Sequence, residues 1–580
     1  MRSDEAISVT IAAARPRERT QRYFDPSLPV LVLLALFLCV LVLLPLGWLA
    51  WYSITDKDGA LTPGNFVRLA RDPTFVGPYL TALEIATGVA LAACTAALPL
   101  AWLVARTDLP LHRTIRALVT ASFVTPPFLG AIAWEILAAP NSGVLNQWAR
   151  VLFGLDPYDH LFNIYTAAGL VFVMACYSFP YVFVLVANAL DNIPGELEDA
   201  SAILGATRAR TLQRVTLPMV LPALLAGGLV AFVQTLTQFG TPAILALPAG
   251  FHVITTKLWS LFQYPPEPHL AAAAAMPLLV LTILLLRGQQ LLLGRRGYTV
   301  IGGRSGAPRP VQLGLWRWPA LLFAFVILAL PVVLPYAALI KTALVRTPSD
   351  PLTLDTLTWH NLRFVFVEFS QTRDALWNTF ILGVAAATAG TALALAVGYV
   401  TSRRLVTGHR ILGFLATAPV AIPGIVLGVG LFLSYTRPPL VLYGTLWILL
   451  LAFLTIELPA GYQQVQAAFR GLHPELEEAS RIFGATRLKS LWQITVPLLR
   501  ASVVATWCFI FIGVIRELSA TIMLTTANTK VVSVIIYDLN ESGDLGAISV
   551  LGITLLVITF AVVLVANRLP VLGRIVPRAV

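Results

Sequence analysis

Charge is what this 580-residue chain has least of. Only 12% of its residues are charged, against about a quarter in soluble domains, while 57% are apolar and the mean hydropathy is +0.80. Those values exclude an ordinary soluble globule. They also exclude an enzyme hung from one or two anchors, because so high a mean needs apolar runs along most of the chain. Lysine is rarest of the charged types, confined to Lys57, Lys257, Lys341, Lys489 and Lys530. None follows a glycine, so there is no Gly-x-x-x-x-Gly-Lys-Ser/Thr phosphate loop and no means of hydrolysing ATP within the chain. The 4 cysteines (Cys39, Cys94, Cys176, Cys508) all lie inside apolar runs, which excludes a disulfide framework. The 7 histidines are scattered singly, none at ligand spacing from another His or Cys, so no metal-binding residue is expected.

What is present is a series of apolar segments of about 20 residues or more, the length that crosses a hydrocarbon core of about 30 Å. Twelve spans are expected, near 29–52, 78–105, 115–139, 165–190, 217–240, 268–290, 317–341, 376–402, 410–435, 441–465, 498–520 and 545–567. The arginine-rich segment 1–28 runs into the first of these without a small-residue cleavage site, so it reads as a cytoplasmic tail before a retained helix. With that tail inside, the inner segments hold more than two thirds of the 40 Lys and Arg, which places both termini in the cytoplasm. The net charge of +11 is mostly this bias, with contact to anionic lipid, and nucleic acid is not an expected partner.

The chain repeats itself. Glu196-Leu-Glu-Asp-Ala-Ser-Ala-Ile-Leu-Gly-Ala-Thr-Arg208 recurs as Glu475-Leu-Glu-Glu-Ala-Ser-Arg-Ile-Phe-Gly-Ala-Thr-Arg487, an offset of 279 that continues through Pro218 and Pro497. Weaker echoes pair Thr81 with Thr379 and Pro126 with Pro423, at offsets of 298 and 297. The first half therefore carries an insertion, placed in the outer loop 141–163. Six spans per half is an even number, so both halves enter the membrane in the same sense. A pseudo-twofold along the membrane normal then relates them, and a translocation path would follow that axis.

The repeated segment is polar and cytoplasmic in both copies. Pro194 and Pro474 start short helices with acids in the first turn, where the helix dipole favours them. Gly205 and Gly484 suit a sharp C-terminal turn. A short basic helix follows (Arg208, Arg210, Arg214; Arg487, Lys489), so each copy is expected to be a rigid knob. These residues resemble the loop of importer permeases of the ATP-binding-cassette superfamily, whose pattern is Glu-Ala-Ala, three residues, Gly, nine residues, Ile-x-Leu-Pro. Here it reads Asp199-Ala200-Ser201, Gly205, Val215-Thr216-Leu217-Pro218, and Glu478-Ala479-Ser480, Gly484, Ile494-Thr495-Val496-Pro497. Spacing is kept in both; the departures are Asp for Glu, Ser for the second Ala and Val at the outer apolar positions.

The resemblance covers nearly the whole chain and implies an all-α membrane protein of about 12 transmembrane helices, a fused pair of six-helix type I importer permease domains. Segment 29–296 would be the first, with coupling loop 194–218; 297–316 a cytoplasmic linker; and 317–580 the second, with coupling loop 473–497. It implies that Glu196, Glu198, Asp199, Ala200, Gly205, Glu475, Glu477, Glu478, Ala479 and Gly484 engage a separate ATPase homodimer at the cytoplasmic face. ATP and Mg belong to that partner, and this chain carries no cofactor and catalyses nothing. It further implies a periplasmic substrate-binding protein and a place in a bacterial inner membrane.

Arg516-Glu517 ends the eleventh span, and Gln238 occupies the position of Glu517 in the first half. These three are candidates for the path or its gate, with Glu517 held by Arg516, Gln238 or water. Glu84, Glu135 and Glu457 are further intramembrane acids, equally readable as partners between helices. Thr255-x-x-Leu-Trp259 and Ser533-x-x-Ile-Tyr537 correspond in outer segments, as surfaces for a binding protein or as interfacial aromatics. Phe239-Gly-Thr-Pro-Ala243 and Arg516-Glu-Leu-Ser-Ala520 look most like the ferric-iron branch of such permeases. Thiamine, polyamine and phosphonate remain alternatives, as does a secondary transporter driven by an ion gradient.

Overall fold

A computed structural model describes residues 27–294 and 310–568. The tail through residue 26, the linker over 297–309 and the last residues from 569 lie outside the described residues, so those expectations are not addressed. Within the described residues the chain is helical, with isolated β-bridges but no strand.

Among the described residues, ten helices are long and apolar enough to span a bilayer: Val32–Ser53, Pro73–Arg106, Ala167–Asp191, Ala209–Thr237, Pro268–Leu291, Gly314–Leu344, Ser370–Ser402, Leu446–Arg470, Arg487–Arg516 and Leu545–Val565. The expected third and ninth spans are broken. His112–Val124 meets Pro127–Ala138 at 99°, and His409–Ala421 meets Gly424–Tyr435 at 110°. The cause is proline: Thr125 and Ile422 precede Pro126 and Pro423, and a residue before proline is driven from helical to extended backbone. Broken backbone is tolerated at membrane depth where protein satisfies it. Here the Thr282 hydroxyl donates to the Ala421 carbonyl at 2.7 Å; at the other break the Thr125 and Tyr336 hydroxyls share a hydrogen bond of 2.6 Å between side chains. Three intact spans absorb a proline differently. Leu212–Thr216, Ala329–Val333 and Leu491–Thr495 are π turns, each ending two residues before Pro218, Pro335 or Pro497. A wider turn relieves the clash of the ring with the preceding carbonyl.

Each half is built on one long helix. Pro73–Arg106 packs against Ala167–Asp191 and Leu217–Thr237, and Ser370–Ser402 packs the same way against Leu446–Arg470 and Val496–Arg516. Small residues allow this close approach. Val89, Ala93, Ala97 and Ala101 lie fully buried on one helix face, and Ala386, Gly390, Ala394 and Gly398 stand at the corresponding places 297 residues on.

The first spans bridge the halves. Ser27–Ser53 lies between its own half's Pro268–Gly294 and the second half's Gly424–Tyr435, while Leu334–Leu344 lies between its own half's Leu545–Arg568 and the first half's Pro127–Ala138. The two repeated knobs lie on one face of the bundle (the knob face, opposite the far face). One apolar core joins both halves and includes the far-face parts of the long helices, such as Ala82–Val89. Two smaller clusters lie beside it, one around Ala93–Val104 that also takes in Ala324 and Leu328 of the second half, and one around Ala394 and Val465. The shared core reaches knobward along the second long helix through Leu393, Val397 and Val400. The insertion at 141–163 folds as the helix Val144–Phe153, and Asn146, expected on an exposed loop, is fully buried: its amide donates to Ala139 and Phe162 carbonyls at 2.9 and 2.8 Å.

Gly430 gives the first span its seat, since a Cβ there would stand 2.9 Å from the Pro45 carbonyl oxygen. Gly430→Val should destabilise the bundle by about 1–3 kcal/mol, the usual cost of overpacking. Gly47→Ala, which meets nothing within 4 Å, should not. Thermal unfolding of the two variants in detergent measures the difference.

Candidate functional site: paired knobs and a closed axis

The two knobs share one backbone design. The first is the helix Gly195–Ile203, the second Glu475–Ile482. Each ends in a six-residue Schellman turn: the Ala206 N–H donates to Ser201 O and Gly205 N–H to Ala202 O, while Ala485 donates to Ser480 O and Gly484 to Arg481 O. Gly205 and Gly484 hold φ of +81° and +87°, the left-handed region that costs other residues roughly 1–2 kcal/mol. A Cβ would meet nothing within 4 Å at either place, so backbone strain alone selects glycine. Across the turn, Ser201 bonds Thr211 at 2.9 Å and Ser490 bonds Ser480 at 3.0 Å.

A buried ionic post ties each knob to its long helix. Arg403 donates from Nε and Nη2 to one oxygen of Glu477, at 3.1 and 2.9 Å, and reaches the Leu472 carbonyl. The same carboxylate oxygen accepts from the Thr495 hydroxyl at 2.8 Å. In the first half Arg106 donates to the Ile193 carbonyl at 2.8 Å and lies 3.8 Å from Glu198, which accepts from Thr216 at 2.9 Å. Glu198 and Glu477 therefore turn inward and fix the knob. The outward positions are Glu196, Asp199, Ala200, Gly205, Glu475, Glu478, Ala479 and Gly484, all exposed. At each tip an apolar pair stands in the open: Ile203 and Leu204, both 86% exposed, and Ile482 and Phe483, 83% and 92%. Sequence reasoning passed over these tips and over Arg106 and Arg403. The arginines carried a signal, since both end the long helix, 297 residues apart, like the paired prolines.

At the axis, Gln238 and Glu517 do correspond: each follows the last residue of a span, and each main-chain carbonyl accepts a hydroxyl bond of 2.9 Å, from Thr255 and Ser533 respectively. Their side chains do not meet in a hydrogen bond. The Glu517 carboxylate accepts instead from the Ala520 N–H at 2.8 Å and lies beside Gly424, at the first turn of Gly424–Tyr435, where the helix dipole favours negative charge. Nor does Arg516 pair with it. Arg516 is the last helical residue and Glu517 already extended, which sends the two side chains apart; the guanidinium stands over the Phe123 ring of the other half, 5.5 Å from its centroid. Glu457 packs on Gly513, where a Cβ would lie 2.2 Å from its carboxylate. Glu84 is exposed.

What meets at the axis is aromatic. Trp259 and Tyr537 occupy corresponding positions, 278 residues apart, and their rings touch edge to face at 5.9 Å between centroids. Corresponding residues can touch only near the axis that relates them. Phe239 completes the cluster, 6.0 Å from Trp259 and 6.1 Å from Tyr537, and Phe239 and Tyr537 are buried. The rings fill the seam between the halves at this level. These rings, expected at an outer surface, form a plug.

The family model described as "Binding-protein-dependent transport system inner membrane component" matches the chain twice, over residues 97–297 and 390–570. The chain belongs to that family. It is a fused permease with two copies of the family's domain, and membership sets aside the ion-gradient carrier. The permease is 26% identical over 515 residues to the ferric transport system permease protein FbpB of Actinobacillus pleuropneumoniae, a match covering 87% of this chain and 71% of that protein. It is also 28% identical over 272 residues to the sulfate transport system permease protein CysT of Escherichia coli, covering 46% of this chain and 92% of that one. Among solved structures, a bacterial ABC transporter involved in import of the polysaccharide alginate aligns over 47% of this chain and 96% of that chain, at 17% identity and TM-score 0.40.

Glu477→Ala would leave Arg403, 10% exposed, without its carboxylate. Stranding a buried charge costs about 3–5 kcal/mol, here concentrated in the knob. Amide hydrogen exchange over 475–490 should rise well above that of the first knob, and Glu477→Gln should restore most of the protection. Glu198→Ala should likewise loosen the first knob, because Arg106, 1% exposed, would lose the carboxylate 3.8 Å away.

Proposed function

We propose that this permease is the membrane subunit of an ATP-driven importer of ferric iron, with the knob face in the cytoplasm. What supports the cargo is that ferric transport permeases match through both halves, at 26% and 25% identity; the sulfate permease, matched over 92% of its own length, is about half as long as this chain, so its shorter coverage does not bear on the cargo. The paired knobs carry the energy source. Two rigid posts with the same turn, an inward acid near a buried arginine and an exposed apolar tip are docking parts for a partner with two like sockets, an ATPase homodimer that supplies ATP and Mg. A substrate-binding protein would deliver cargo at the opposite, periplasmic face, above the aromatic plug. Movement of each knob reaches the bundle through Arg106 and Arg403, which end the longest helix of each half.

Reconstituted with its ATPase and iron-loaded binding protein, the permease should take up radiolabelled iron in vesicles in an ATP-dependent manner. The permease alone should hydrolyse no ATP. Uptake of sulfate, thiamine, polyamine or phosphonate in place of iron would overturn the cargo. Cysteines placed at Tyr158 should label from outside and those at Ile203 and Ile482 only after permeabilisation; the reverse would invert the orientation.

A further inference from the structure

Glu135 lies near the far-face end of Pro127–Ala138, half-buried, and its two oxygens are held by different halves of the molecule. The Tyr165 hydroxyl of the first half donates to Oε1 at 2.8 Å, and the Asn540 amide of the second half donates to Oε2 at 3.0 Å. Asn540 stands three residues beyond Tyr537 on Val532–Ser542, so this contact closes the seam beside the aromatic plug.

The pseudo-twofold provides an internal control. The position corresponding to Glu135 is Phe432, 297 residues on, and the position corresponding to Asn540 is Phe262, 278 residues back. Those two also meet across the seam, edge to face, with centroids 5.4 Å apart. The fold therefore closes the same joint with two phenyl rings and no polar atom. A carboxylate is not required for the packing, and a charge within the membrane is costly enough to be kept for a use.

We propose that Glu135 and Tyr165 form a transient site for a hard metal cation in the translocation path, emptied when Asn540 closes the seam over it and exposed when the seam opens. The donors left in the opened site are a carboxylate and a phenol, with water completing the shell. All are oxygen, the set suited to hard cations, with no thiolate or imidazole. In the closed form the carboxylate is fully engaged by the two N–H and O–H donors, so the site satisfies itself without a cation and releases one. When the halves part, Asn540 leaves with the second half, and Glu135 and Tyr165 of the first half turn their oxygens to the opened mouth. Affinity for the cation is thus tied to conformation, and a sulfate ion meets a negative charge at the same place. No bond is made or broken beyond the ion's own coordination. The identity of the cation as ferric iron rests on the reading above; the site itself does not.

The test uses the assembled complex, held open at the far face with its ATPase in a non-hydrolysable ATP analogue, and terbium(III) as a luminescent hard-cation probe. Sensitised terbium emission should appear in the ATP-analogue form, be weak without nucleotide, and require at least ten-fold more terbium in Glu135→Gln. Phe432→Leu at the matching seam should bind terbium like the unaltered complex. In vesicles Glu135→Gln should lower iron uptake at least ten-fold while keeping the ATPase stimulation given by loaded binding protein, which a merely structural loss would not spare. Equal terbium binding by Glu135→Gln and the unaltered complex would overturn the site, as would unchanged iron uptake. Glu135-dependent terbium binding in a complex that takes up no iron would uphold the site and overturn the ferric cargo. Displacement of terbium by spermidine but not by trivalent metal ions would overturn the metal class.

Discussion

A guanidinium buried where a long helix leaves the membrane can stay there only if something nearby carries the opposite charge. In the second half that partner is Glu477, and in the first half Glu198 with the help of the Ile193 carbonyl. Each arginine thereby binds the foot of a knob to the helix around which its half is packed. Without that tie the Schellman turn would still form, but the knob would hang from its two flanking segments and could swing. With it, the knob, the long helix and the two spans that pack on it move together. The small-residue faces along Val89–Ala101 and Ala386–Gly398 extend the same rigidity toward the far face.

The halves are alike where they must be worked and unlike where they line the axis. Ser178, Thr237 and Gln238 of the first half stand where Glu457, Arg516 and Glu517 stand in the second. The charges of that group all belong to one side, and Glu135 belongs to the other. Fusion makes this possible. A homodimer would have to place every charge twice, and the seam would then hold two carboxylates or none.

The repeat, the spans and the knobs were legible from spacing because each is a matter of period: 20 apolar residues, an offset of 279, a glycine at a fixed distance from an acid. The breaks at Pro126 and Pro423 were half-legible. The prolines stood out, yet nothing in the apolar pattern on either side distinguished a bent pair from a continuous span. In the knob, Glu198 and Glu477 could not be told from their exposed neighbours, because what turns them inward is an arginine far off in sequence. The Glu517 pairing was misjudged for a local reason: a helix that ends between Arg516 and Glu517 separates two side chains that look adjacent on paper. Trp259 and Tyr537 were recognised as equivalent, but only the position of the axis shows that equivalents meet.

The bridging first spans set an order of events during synthesis. Ser27–Ser53 can pack on Pro268–Gly294 once that helix is made, but its other side stays bare until Gly424–Tyr435 follows. Counted from its own synthesis, at about 5–20 residues per second, that is a delay of roughly 20–75 s. Leu334–Leu344, by contrast, emerges to find Pro127–Ala138 already in place. The first half thus keeps a vacant flank while the second is translated, and the earliest helix to enter the membrane carries that bare side the longest.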